Sequence, residues 1–549
     1  MNNNLDNPFY YLENFRFVLA WVQQRYADLL EPDEADFIRR FECVSIQAQA
    51  LLVRMVMRRG NLFRASKLNY PEIGATVDAA VELIEHRWVT VDPLITVEQL
   101  YGLLTKNEFA SALQLTEVKG AKKLDLLESV RDSLSEPRKF SEWGASEPLF
   151  EVNIASLCDH IRLMFFGNLY QDWSEFVLAD LGIFTFEKVP FSDASRAFHV
   201  RADINIYLQL YRCRERLQGG DDLEAIQSDV EAICCTNPWL RRRRAKLLFQ
   251  IGQEFERLAD HQSALNSFAR CNYFGARSRQ IRVLEKLGQP EAALQLAQIA
   301  ESAPESAEES QHLARIMPRL RRKLGLTARQ AKIKTQPERI DLTLLRPADS
   351  ASVEEAVRRY LELQSPTIAP VYYVENTLIN SLFGLLCWDA IFSPVSGAFF
   401  HPFQIGPADL HSADFRTQRA ELFQHCLSQL NSQQYRQTIR DTFARKRGIQ
   451  SPFVYWSILD ETLLDHALSC FPPHHLGKWF ERILDGMASN RTGFPDLIQF
   501  WPQQQQYRMI EVKGPGDRLQ DNQIRFLDFC SQHQMPVTVC YVEWESEQS

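Results

Sequence analysis

Along residues 1–190 the apolar positions recur at helical spacing, and little of the chain alternates in the manner of a strand. Ile46 to Met57 sets its apolar residues three and four apart. Asn69, Tyr70 and Pro71 break the chain, and a further helix is expected over 73–87. Thr96 stands as an N-cap ahead of apolar residues at 97, 100, 103 and 104, and Gly120, Ala121 and Lys122 open a second helix that runs to Val130.

Between Ala245 and Arg322 nearly every stretch is helical and alanine-rich. Leu248, Ile251, Gly252 and Phe255, then Ala264 and Phe268, follow tetratricopeptide spacing, in which small residues let paired helices approach. Leu287 with Ala293 and Leu294 repeats Leu258 with Ala264 and Leu265 more weakly. A short helical-repeat region is expected, suited to scaffolding or to a protein partner. Residues 302–310 read as a polar loop. The stretch 335–370, with prolines at 337, 347, 366 and 370, reads as a linker.

Near residue 490 the pattern changes. Asn490 to Trp501 is a turn running into a β-rich stretch, four glutamines follow Pro502, and Tyr507 to Lys513 is a second strand closed by Gly514, Pro515 and Gly516. Strand, polar turn and strand make a hairpin. Residues 517–534 read as a helix and Val537–Val542 as a buried strand. Further upstream, Leu378, Leu382, Leu385 and Leu386 mark a strong apolar helix face, with Glu375 at its start.

Composition changes this picture little. The chain has 549 residues, 45% hydrophobic and 24% charged, which is globular and long enough for roughly three or four domains. It shows neither an apolar run of ~18 residues nor a basic leader, so the expectation is an intracellular protein without a membrane span. Eleven cysteines form no C-x-x-C pair, which argues for reduced thiols over a zinc module or a disulfide framework. The net charge of −9 counts against nucleic acid only if the cations are evenly spread. Instead they cluster: Arg54, Arg58, Arg59, Arg64 and Lys67 without an acid from Leu51 to Lys67, then Arg241 to Arg244 with Lys246, then Arg319 to Lys334. A segregated basic surface is expected.

The hairpin carries the chemistry. Side chains alternate along a strand, so Glu511 and Lys513 share a face, and Asp496 lies beside them across the hairpin. Two carboxylates can bind a hard divalent cation such as Mg²⁺ or Mn²⁺ through oxygen, and the ion can activate water and neutralise a phosphoryl group. A lysine on the same face can stabilise charge at the phosphate. Pro-Asp, fourteen intervening residues, then Glu-x-Lys is the PD-(D/E)xK nuclease pattern. Such a core also needs an acid from an earlier helix, and Glu375 is the candidate; by spacing alone it reads first as a helix-start acid favoured by the dipole.

Glu375 to Phe392, then Arg491 to Leu497, then Glu511 to Pro515 with Asp517, Arg518, Leu519 and Gln523, resemble the VRR-NUC domain of the Fanconi-anaemia-associated nuclease family. The paired helices around Thr96 and Gly120 resemble a SAP module, a small binder of the DNA backbone. Leu52 to Arg54 and Phe63 to Ile73 resemble that family's SAP-containing region.

The resemblance implies a structure-specific nuclease acting on 5′ flaps and branched DNA, with 5′-to-3′ exonuclease activity, in interstrand-crosslink repair. It implies that Glu375, Asp496 and Glu511, helped by the main-chain carbonyl of Val512, hold one or two Mg²⁺ or Mn²⁺ ions. Lys513 would be catalytic and Gln523 would lie at the site's edge. Arg54, Arg64, Lys67, Tyr70, Lys122, Arg491 and Arg518 become DNA-contact candidates. The cysteine spacing of the family's eukaryotic ubiquitin-binding zinc finger is not found, so a compact, bacterial-type member is expected, cytoplasmic and nucleoid-associated.

The expected architecture is a helical SAP-containing region at 1–190, TPR-like helices at 191–334, a linker at 335–370, and an α/β PD-(D/E)xK core with a mixed sheet at 371–549. Two other readings compete: a decayed, inactive nuclease core retained as a DNA-binding scaffold, and a helical-repeat adaptor for a protein partner. All four expected catalytic positions are intact, which disfavours the first, and the second leaves the hairpin unexplained.

Overall fold

The computed structural model describes residues 7–115, 120, 122–171, 184–326, 337–347, 351–365 and 367–545. Ala121, and the third basic run beyond Leu326, lie outside the described residues. The chain divides into two compact units, one formed by residues 1–184 and 198–204, the other by 185–197 and 205–549. Among the described residues no helix is long and apolar enough to cross a membrane.

The first unit begins with helices Tyr10–Tyr26, Pro32–Phe41 and Ile46–Val56. It also contains strands that the periodicity does not show. β1 (Leu62–Arg64) and β2 (Val89–Val91) both pair antiparallel with β5 (Leu149–Val152), and β3 (Leu94–Ile95) pairs with β4 (Arg138–Lys139). Strands of two to four residues are too short to establish a period of two, so helical spacing dominates the pattern around them.

In this unit α1 (Val97–Leu103) starts where Thr96 places it. The Thr96 hydroxyl accepts from the Gln99 amide at 3.3 Å, and the Gln99 side chain accepts from the Thr96 amide at 2.9 Å. α2 (Lys123–Val130) follows, with the Lys122 amide donating to Asp125 at 2.7 Å. A helix at Lys106–Ala112 lies between them in sequence. Val97, Leu100, Leu126, Leu127 and Val130 pack with Phe140 and Trp143 in one small core.

The second unit opens on the helical repeats. α3 (Pro238–Arg257) and α4 (His261–Ala269) approach closely because of Gly252, where a Cβ would stand 2.7 Å from the Phe268 ring. Helices Ala276–Lys286, Pro290–Ser302 and Ala307–Lys323 continue the stack.

Downstream lies a five-stranded mixed sheet, in the order β6 (Glu338–Leu344), β10 (Val537–Trp544), β9 (Gln506–Lys513), β8 (Leu497–Trp501), β7 (Val371–Tyr373). β6 and β9 run parallel to β10, whereas β7, β8 and β9 form antiparallel neighbours. Within the stretch expected to be a linker, the described residues are built into the nuclease core instead: β6 is an edge strand of this sheet and α5 (Val353–Gln364) packs on it. Pro337, Pro347 and Pro370 stand outside β6 and α5, where they cost no ladder or helical bond, and Pro366 lies outside the described residues.

The sheet is covered on both faces. Leu497, Ile510, Val512, Cys540 and Val542 meet Val357 of α5 on one side. Ile498, Phe500, Tyr507, Met509 and Val539 meet the other side. That second layer includes α6 (Leu378–Leu386), α7 (Pro473–Asp485) and α8 (Asp521–Gln532), the last being the crossover between the parallel strands β9 and β10. Burial on both faces explains why Tyr507 and Met509 on one side of β9, and Ile510 and Val512 on the other, are all apolar, with Glu511 and Lys513 buried among them.

Candidate active site

Strand register delivers the first two acids. Leu497 of β8 stands opposite Ile510 of β9, which brings Asp496 beside Glu511 and Val512. The Val512 amide donates to Asp496 Oδ2 at 2.8 Å. On the other flank, the Val374 amide donates to the Asp496 carbonyl at 2.9 Å, which ties the segment after β7 to the start of β8. Glu375 therefore arrives next to Asp496 from a turn, not from the helix itself, since α6 begins only at Leu378.

That turn is set by Asn376, whose φ of 53° is left-handed, and whose side-chain carbonyl accepts from the Phe494 amide at 3.1 Å. Glu375 is held by two donors, the Tyr373 hydroxyl at 2.6 Å and the Asn376 amide at 3.1 Å. Neither residue stands out in the sequence. Tyr373 could have been suspected only from lying two positions before the acid, at the end of a short strand.

Lys513 Nζ lies 2.7 Å from Glu511 Oε1, and the Gln523 amide donates to the same oxygen at 2.5 Å. Gln523 is well placed because it occupies the first turn of α8, where its carbonyl accepts from the Gln520 amide at 2.8 Å. Its two ends thus fix the helix start and the carboxylate together.

Asp496, Glu511 and Lys513 are buried, whereas Glu375 is exposed. Burial raises the Asp496 carboxyl from 3.8 to about 6, with repulsion from Glu375 adding to it and the Val512 amide and Lys513 opposing it. Burial likewise raises Glu511 from 4.5 to about 7, followed by repulsion from Asp496, with Lys513 again opposing. Two buried acids with one lysine between them form a pocket short of positive charge.

The donor set is hard oxygen, from Glu375, Asp496, Glu511 and the neighbouring Val512 carbonyl, and it suits Mg²⁺ or Mn²⁺. No three His, Cys, Asp or Glu side chains among the described residues converge on one point, each acid here being turned to a protein partner.

Gly493 secures the loop before Asp496. Its φ is +86°, and a Cβ there would lie 2.8 Å from the backbone carbonyl of Asn522, in the first turn of α8. Gly493→Ala will therefore cost about 1–3 kcal/mol or more. It will also separate the Asp496 loop from the helix carrying Gln523. A fall in melting temperature together with reduced cleavage is expected; unchanged values of both would show that the loop yields freely.

The cations divide into two groups. Arg64 is tied to Glu108 at 2.7 Å and Glu147 at 2.6 Å. Arg54 pairs with Glu72 at 2.6 Å and lies over the Tyr11 and Tyr70 rings at 3.8 and 4.8 Å. Arg491 is mostly buried, donates to the Pro452 carbonyl and covers the Phe453 ring at 4.3 Å; burial pulls its pKa down. These three brace the fold. Lys67, Lys122 and Arg518 are exposed.

Known proteins resemble the chain over nearly its whole length. Residues 430–544 match the VRR-NUC domain family, 94–143 the Fanconi anemia-associated nuclease SAP domain, and 9–90 the FAN1 HTH domain. The Fanconi-associated nuclease 1 homolog of Pseudomonas aeruginosa is 51% identical over 98% of this chain and 97% of its own. That of Arabidopsis thaliana is 22% identical over 97% of this chain and 67% of its own. A crystal structure of paFAN1 bound to 2-nt 5′-flap DNA with a gap superposes with a TM-score of 0.90, at 50% identity, covering 99% of this chain and 100% of the other.

Proposed function

The chain belongs to the Fanconi-associated nuclease 1 family, and on that ground we propose that it cleaves 5′ flaps and branched DNA by divalent-metal-assisted phosphodiester hydrolysis. We further propose 5′-to-3′ exonuclease activity and a role in interstrand-crosslink repair. The observation that carries the reading is the pair of buried carboxylates, Asp496 and Glu511, held on adjacent strands beside Lys513. The flap-bound relative at 50% identity supports the substrate class.

Glu375, Asp496, Glu511 and the Val512 carbonyl would hold the cation. Bound there, the ion supplies Lewis-acid stabilisation of the phosphoryl oxygens and an activated water. The Val512 amide keeps Asp496 oriented, and the Tyr373 hydroxyl does the same for Glu375. Lys513 keeps a positive charge where negative charge grows on the phosphate, in a site with little water to screen it. Gln523 anchors Glu511 and so sets the edge of the pocket.

Phosphate contacts fall to the exposed Lys67, Lys122 and Arg518, and the repeat helices offer a surface for a protein partner. A labelled 5′-flap duplex in Mg²⁺, compared with the matching unbranched duplex, tests the assignment. Cleavage near the branch that excess chelator abolishes is expected. Equal cutting with and without chelator would contradict the mechanism, and no preference for the flap would contradict the substrate.

A further inference from the structure

The repeat helix Ala307–Lys323 has two sides. Leu313, Ile316, Met317 and Leu320 are buried in the repeat core. Gln311 and Arg315, four residues apart and so on one face, reach α8 of the nuclease core. Arg315 grips the Asp521 carboxylate through both ends of its guanidinium, Nη1 to Oδ2 at 2.7 Å and Nη2 to Oδ1 at 2.5 Å. The Gln311 amide donates to the Asp521 carbonyl at 3.2 Å, and Gln311 Oε1 accepts from Arg525 Nη1 at 2.7 Å. Two side chains thus hold α8 at Asp521 and, one turn on, at Arg525.

The turn they hold is the one that serves the acidic pocket. Asp521 opens α8, and Gln523, two residues on, donates to Glu511 at 2.5 Å. Between them, the backbone of Asn522 closes against Gly493 in the loop before Asp496. Helix stability does not require the grip from outside. An acid at a helix start is favoured by the dipole without a partner, and Gln520 and Gln523 already cap this one. The Arg315 and Asp521 side chains are 54% and 56% exposed, so their ion pair adds little to stability. A bidentate guanidinium nevertheless fixes direction as well as distance. Arg319 and Lys323, further along the same helix, pair with Glu285 inside the repeat stack at 2.6 and 2.8 Å. Arg315 instead reaches a residue 206 positions later in the chain.

We propose that Arg315, with Gln311, is a positioning residue for flap cleavage: it fixes the first turn of α8 and, through Gln523, the place of Glu511. The proposal rests on the reading of the Asp496–Glu511 pocket as the cleavage site. A misplacement of ~1 Å at a reacting group is enough to slow catalysis about a hundredfold, so a contact worth little to stability can still matter to rate. The repeat stack then belongs to the nuclease machinery itself, beyond any surface it offers to a protein partner.

The test uses the full-length chain as wild type, Arg315→Ala, Arg315→Lys, Gln523→Ala, the Arg315→Ala/Gln523→Ala double variant and Asp496→Asn. Single-turnover cleavage of a 5′ flap in saturating Mg²⁺ and flap binding are measured on each. Mn²⁺ binding without DNA is followed by the electron-paramagnetic-resonance signal of free Mn²⁺. Arg315→Ala should lower the maximal rate and weaken Mn²⁺ binding about tenfold each, the scale of losing an outer partner of a metal ligand. Flap affinity and melting temperature should stay near wild type. Arg315→Lys keeps the charge without the fork and should restore part of the rate. The double variant should be no slower than Gln523→Ala, because one route is broken twice.

A wild-type rate and Mn²⁺ affinity in Arg315→Ala, alongside lost cleavage in Asp496→Asn, would overturn the proposal and leave the proposed function standing. Wild-type cleavage by Asp496→Asn would overturn both. An unchanged maximal rate with weaker flap binding and a flatter salt dependence would make Arg315 a phosphate contact instead. Losses that add in the double variant would break the route through Gln523. Equal loss in Arg315→Ala and Arg315→Lys, with lowered melting temperatures in both, would assign Arg315 to the fold alone.

Discussion

Asp496→Asn and Glu511→Gln will each lower single-turnover cleavage of a 5′ flap by about a thousandfold or more, which corresponds to the several kcal/mol that a bound cation contributes to the transition state. The amides are the informative replacements. Asp496→Ala would leave the buried Val512 amide without its acceptor, and Glu511→Ala would strand Lys513 and the Gln523 amide, so either would mix lost chemistry with lost stability. Asparagine and glutamine keep an acceptor oxygen while removing the charge.

If both acids serve one centre, the double variant will be little worse than either single one, because groups that act as a unit are strongly non-additive. Flap binding should stay near wild type in all three, since the exposed cations proposed to contact phosphate, Lys67, Lys122 and Arg518, are not the partners that hold Asp496 and Glu511. Additive losses would mean that the two acids do separate jobs.

The second large effect is on pH. In the ion-free protein Asp496 and Glu511 titrate near 6 and 7, both raised first by burial. A cation must displace those protons, so affinity and cleavage at limiting Mg²⁺ should climb between about pH 5 and 8 and then level off. At pH 5 both carboxyls are almost wholly protonated, and apparent affinity should be about a hundredfold or more below its plateau.

Stability runs the opposite way. A carboxyl whose pKa rises on folding contributes most below its unfolded value, here near 4, and that contribution disappears as pH climbs through 6 to 7. At pH 8 in chelator, Asp496→Asn should therefore be more stable than wild type, by on the order of 1–3 kcal/mol. Added Mg²⁺ should narrow that gap by stabilising wild type alone. Titrating Mn²⁺ binding and melting temperature at each pH checks both statements. A flat affinity profile from pH 5 to 8 would show that the carboxyls do not carry raised values.

The hairpin was legible in the sequence because turn residues bracket both strands, and because Glu511 and Lys513 stand two positions apart, on one face, around the apolar Ile510 and Val512. The repeat helices were legible because Gly252 and Phe268 keep the spacing that close helix packing requires. What stayed hidden depends on distant partners. β6 has an exposed, mixed pattern, and its neighbour β10 lies 200 positions away, with Glu338 opposite Thr538. Arg64 sits in an acid-free run of sequence, and its partners Glu108 and Glu147 lie 44 and 83 positions away. Glu375 stands just before α6, where the sequence puts it, yet its delivery by a left-handed Asn376 turn, and its hydrogen bond to Tyr373, leave no periodic trace.

The central claim is that the Asp496–Glu511 pocket is where phosphodiester cleavage takes place. Single-turnover cleavage of a 5′-flap duplex in saturating Mg²⁺ by Asp496→Asn, with flap binding measured on the same preparation, tests it most directly. Near wild-type binding with cleavage reduced about a thousandfold is the predicted result. Cleavage at close to the wild-type rate would contradict the assignment of this hairpin as the active site.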